Sequence, residues 1–170
     1  MKKSNKGVRV LTTAAISVSC AMILSYIEFL LPPIFSAVPG IKVGLANIVI
    51  IFLLYRASPA LAITVSLVRV SLSSLLFGSI LVFAYSFAGA ILSFLVMLVA
   101  KKIDIFSEVG VSILGAVFHN LGQIAVAVIL LGTKEIAYYM IPLTVSGILA
   151  GIFVGIVSAL CIKRIRKINF

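Results

Sequence analysis

The chain of 170 residues is 63% hydrophobic, with a mean hydropathy of +1.33 and 11% charged residues. Soluble domains hold roughly half apolar residues, so a soluble protein is excluded and a single transmembrane domain spanning residues 1–170 is expected. The net charge of +10 gathers beside apolar runs, at Lys2, Lys3, Lys6 and Arg9 and again at Lys163, Arg164, Arg166 and Lys167. That distribution points to a lipid bilayer rather than to nucleic acid, whose binding would need interleaved aromatic or polar readers.

Six membrane helices are expected in chain order. Helix 1 covers about Val8–Leu31 and is stopped by Pro32-Pro33, since proline lacks an N–H and restricts the residue before it. Its basic start invites a signal-peptide reading, but the apolar run reaches Leu31 without a small-residue cleavage site, so a retained helix is expected. Ala15/Ser19 and Ser17/Ala21 stand in small-xxx-small spacing, which suits either internal packing or docking onto a partner. Pro32–Val43 reads as a turn-rich loop, a connector or a cap over a cavity. Helix 2, about Gly44–Tyr55, is short for a full span of ~20 residues.

Helix 3 covers about Pro59–Phe77, with proline in the first turn where it is tolerated. Gly78-Ser79 separates it from helix 4, about Ile80–Ala100. Helix 5 covers about Val109–Leu131, and helix 6 about Ile136–Ile162. Six spans place both termini on one side. That side collects eleven of the fourteen Lys and Arg residues and the other side Lys42 and Lys134, which predicts cytoplasmic termini. In helix 6, Gly147, Gly151 and Gly155 form a ridge for close packing against a neighbouring helix or a partner.

Three sets of polar groups fall inside these spans. Arg69 lies near the middle of helix 3, where an arginine costs about 2.5–3.5 kcal/mol on insertion scales. It meets either Glu28, in the last turn of helix 1, or an anionic group of a ligand, whose geometry its planar fork matches. His119, Asn120 and Gln123 interrupt helix 5, on or beside a stripe that includes Ser112, Ala116 and Ala127. They either bond a neighbouring helix or face a cavity. Adding Lys42, Asn47 and Tyr85 gives a pocket in the outer half that is basic and otherwise apolar, suited to a small amphipathic molecule with an anionic end. No catalytic constellation, no phosphate-binding loop and no set of metal ligands is present, and Cys20 and Cys161 read as small hydrophobes. Neither an enzyme nor a cofactor is expected.

The segments PGIKVGLANI (Pro39–Ile48), RVSLSSLLFGS (Arg69–Ser79) and GAVFHNLGQ (Gly115–Gln123) resemble the bacterial Gx transporter family, also labelled heptaprenyl diphosphate synthase component I. That family looks related to the substrate-binding S components of energy-coupling factor (ECF) transporters. The resemblance implies a six-helix bundle in the cell membrane that captures a micronutrient or cofactor precursor outside. It also implies docking through helix 1 onto a shared transmembrane coupling subunit with two ATPases. The alternative expectation is a non-catalytic accessory subunit, either of a polyprenyl diphosphate synthase, as the synthase label implies, or of a membrane redox or flavin-transfer system. Such synthases hold Mg²⁺ on aspartate-rich motifs, whereas this chain has Asp104 alone.

Overall fold

The computed structural model describes residues 2–30, 44–132 and 134–165. The loop expected at Pro32–Val43, Lys42 within it, and the tail residues Arg166 and Lys167 lie outside the described residues. Among those described are six α-helices and no strand: α1 (Lys2–Leu30), α2 (Asn47–Arg56), α3 (Pro59–Phe77), α4 (Ile80–Ile103), α5 (Glu108–Leu131) and α6 (Met140–Arg164), with a 3-10 turn at Lys134–Tyr139. Five of the helices are long and apolar enough to cross a membrane, and α2 is a shorter apolar helix. The chain is an all-α multi-pass membrane bundle.

The turns carry the residues that end helices. Ser58, Ser79 and Ser107 cap α3, α4 and α5 by accepting hydrogen bonds from the N–H groups of Leu61, Val82 and Gly110. Helix 1 begins earlier than expected, because the basic residues before Val8 continue the same helix. Helix 6 begins later. Pro142 is tolerated in the first turn of a helix but not deeper inside one, so α6 starts at Met140 and the residues before it tighten into the 3-10 turn.

Inside a bilayer the hydrophobic effect does not drive helices together, and close packing between small residues does much of that work. The broadest contacts join α5 to α4 and to α6. Along α6 the glycine ridge lies against α5. A Cβ added at Gly151 would stand 2.6 Å from Ile113 Cα, and one at Gly155 2.7 Å from Val109 Cα. On the opposite side of α5, Gly122 faces Gly89 of α4, where an added Cβ would meet the partner glycine's Cα at 2.9 Å. Helix α1 is peripheral and rests mainly on α3.

Helix α2 organises the interior. Ile50, Ile51, Leu53 and Leu54 are almost fully buried, and α2 packs on both α3 and α6. Its C-terminal end is tied down on two sides. Arg56 donates from Nε (2.8 Å) and Nη2 to the Ile162 carbonyl of α6, and Lys101 of α4 donates to the Leu54 carbonyl at 2.5 Å. These bonds satisfy carbonyls that a helix end leaves open. They also place the end of α2 beside the ends of α4 and α6, here called the basal end of the bundle. Helix 2 therefore runs toward the basal end and is not re-entrant, which keeps the expected order of the later helices.

With ten residues, α2 is about 15 Å long, half of the ~30 Å hydrocarbon thickness. It fills the basal half of the bundle. The distal half, where α1, α3 and α5 end, has no counterpart to α2 among the described residues.

Candidate functional site

A cavity of about 570 Å³ occupies that distal half, within the usual range for small-molecule sites. Its floor lies where α2 begins. Gly44, in the left-handed region at φ +74°, turns the chain into α2, and its carbonyl accepts from Asn47 N–H at 2.8 Å. The Gly44 N–H donates to the Glu28 carboxylate of α1. Arg69 Nη2 donates to Asn47 Oδ1 at 3.3 Å, while Arg69 Nε is buried with no hydrogen-bond partner. Ser25 Oγ, which also lines the cavity, is the other buried side-chain atom left in this state among the described residues. Arg69 stands eight residues before Phe77, the last residue of α3, and so about 12 Å below the distal end.

Five of the expected ligand residues besides Arg69 are brought together here: Glu28, Asn47, His119, Asn120 and Gln123 all line the cavity. Lys42 lies outside the described residues. Asn120 has a structural partner, since its Nδ2 donates to the Leu143 carbonyl of α6 at 2.7 Å. Gly147 makes room for that amide, because a Cβ there would stand 2.9 Å from Asn120 Nδ2. His119 lies against the backbone of Gly89. Tyr85 and Ser73 also line the cavity, whereas Ser66, three residues before Arg69 on α3, is buried outside its lining.

The expected docking face on helix 1 divides. Ser17 (8% exposed) and Ala21 (fully buried) point into the protein, and Ala15 and Ser19 are exposed. Two residues of spacing turn a helix by roughly 200°, so one pair cannot share the open face with the other. The open small-residue pair is Ala15/Ser19. Ser17 and Ala21 are corrected to interior packing positions.

The family model for heptaprenyl diphosphate synthase component I matches residues 18–161. The chain belongs to this family. The match reaches from the middle of α1 into the last turns of α6, and every residue that lines the cavity falls within it. No curated protein and no solved structure matches the chain.

Sequence reasoning missed two features of this family member's cavity. One is an aromatic rim at the distal end, where Phe29 and Phe77 stack with ring centroids 5.1 Å apart and Tyr26 meets Phe77 at 5.5 Å. The signal was present, since these rings stand in the last turns of two expected helices, but aromatic residues at helix ends also mark lipid interfaces. The other is Gly89, which admits α5 closely enough to aim His119. No spacing within α4 shows that pairing. Among the described residues no three His, Cys, Asp or Glu side chains group in a way that could hold a metal ion.

Proposed function

We propose that this member of the heptaprenyl diphosphate synthase component I family is the substrate-binding membrane subunit of an energy-coupling factor type transporter. It captures a small amphipathic anion from outside the cell, and both termini face the cytoplasm. One observation carries the reading: a cavity of ligand size with an unpartnered buried Arg69 Nε at its floor. A membrane interior does not accommodate an arginine without a partner, water or ligand, and a structural anchor has no need of one there. The clustering of Lys and Arg at the basal end supports an outward-facing cavity. Movement of the ligand needs an external energy source, a coupling subunit with two ATPases docking on the exposed Ala15/Ser19 side of α1.

The family description favours a second reading, a non-catalytic accessory subunit of a heptaprenyl diphosphate synthase. A mild-detergent pull-down of the tagged protein from its native membrane, with co-purifying proteins identified by mass spectrometry, separates the two. Two ATPases and a membrane coupling subunit are expected. Recovery of a prenyl synthase without ATPases overturns the transporter reading.

A further inference from the structure

The direction of polarity in the cavity limits what fits it, given its reading as a capture site. The floor at mid-depth holds Arg69, Asn47 and His119, and the rim at the distal end holds Phe29, Phe77 and Tyr139. A bilayer amphiphile is ordered the other way, with its head group at the interface and its chain at the midplane. To reach Arg69, a polyprenyl diphosphate in the distal leaflet would have to bring its head down to mid-depth and turn its chain up toward water. A solute arriving from water, charged end first, meets the groups in the order they stand.

Charge narrows the class further. Among the described lining residues Arg69 is the one fixed cation, and Glu28 brings a carboxylate to the same cavity. A diphosphate would bring several negative charges to a single guanidinium. One carboxylate adds a single negative charge and matches that guanidinium in planar geometry. The Glu28 carboxylate, which accepts from Gly44 N–H, is itself an example of the group to which the first amides before α2 donate, at the positive end of a half-helix. The stacked rings of Phe29 and Phe77 offer the body of such a ligand an aromatic wall.

We infer that the cavity takes a water-soluble, ring-bearing monocarboxylate, anion first, with the carboxylate at Arg69 and Asn47 and the ring beside Phe77. Long-chain isoprenoid diphosphates are not its ligands.

The chain has no tryptophan, so a naphthyl probe can be followed by its own fluorescence. Full-length protein in detergent is titrated with 2-naphthoate and with its uncharged analogue 2-naphthamide, and farnesyl diphosphate is added as a competitor. Saturable 2-naphthoate binding is expected, about tenfold or more tighter than that of the amide. Arg69→Gln should abolish that preference. Phe77→Leu, which keeps an apolar side chain and removes the ring, should weaken 2-naphthoate by about two- to tenfold and keep the preference for acid over amide. Elution as a single monodisperse species qualifies each variant. Equal binding of acid and amide, no saturable binding, or displacement by farnesyl diphosphate below the half-saturating concentration of 2-naphthoate overturns the inference. The pull-down is independent of this test. ATPases recovered without 2-naphthoate binding would sink the ligand class and leave the transporter reading standing; binding without ATPases would do the reverse.

Discussion

Arg69 and Asn120 both line the cavity, yet their bonds differ in kind. Asn120 ties α5 to the Leu143 carbonyl of α6, whereas Arg69 spends one nitrogen on Asn47 and leaves Nε buried without a partner. Interhelical hydrogen bonds in membranes contribute on average about 0.6 kcal/mol and at most about 1.7, so Asn120→Ala should lower thermal stability by an amount in that range. Arg69→Gln should not lower it, because removing an incompletely bonded buried charge relieves an unfavourable burial. Heating purified variants in detergent and measuring the monodisperse fraction by size-exclusion chromatography compares the two. A larger loss for Arg69→Gln than for Asn120→Ala would make Arg69 a structural residue held by the protein. Gly44 gives a third case at this scale. Its φ of +74° and the 3.3 Å from an added Cβ to Asn47 Nδ2 predict a cost of about 1–2 kcal/mol for Gly44→Ala. The same assay reads it, and an unchanged melting curve would mean the turn relaxes freely.

At the scale of elements, the helices were largely legible because each is an apolar run ended by proline, glycine, serine or charge. The shortness of α2 was legible too, but its depth was not. Depth follows from Arg56 reaching Ile162 and Lys101 reaching Leu54, contacts between residues far apart in sequence. For the same reason no spacing in the sequence shows that Arg56 and Lys101 close helix ends. The glycine ridge of α6 was visible as spacing, while the cost at each position depends on what faces it. At Gly151 an added Cβ meets the Ile113 Cα at 2.6 Å, which is backbone; at Gly147 its nearest neighbour is the movable Asn120 amide at 2.9 Å. Gly151→Ala should therefore destabilise more than Gly147→Ala, by roughly 1–3 kcal/mol for the former as overpacking. Equal losses in the thermal assay would mean that α5 and α6 separate as rigid bodies at little cost.

For the whole molecule, the consequence of a half-length α2 is, among the described residues, an asymmetric bundle, packed at the basal end and hollow at the distal end. Which way it faces decides what the cavity can do. Lys101, Lys102, Arg56, Lys163 and Arg164 all fall at or near the basal end, and basic residues near short turns are retained in the cytoplasm. The distal end should then face outward. With Cys20 and Cys161 replaced by serine, single cysteines at Ile80 (88% exposed, distal turn) and Ile105 (78% exposed, basal turn) report the two ends. A membrane-impermeant maleimide should label Ile80→Cys in intact cells and Ile105→Cys after permeabilisation alone. The opposite pattern would open the cavity to the cytoplasm, where a subunit that captures nutrients from outside has no use for it. The mid-membrane arginine would then hold a cytoplasmic metabolite, and the accessory-subunit reading would become the better account.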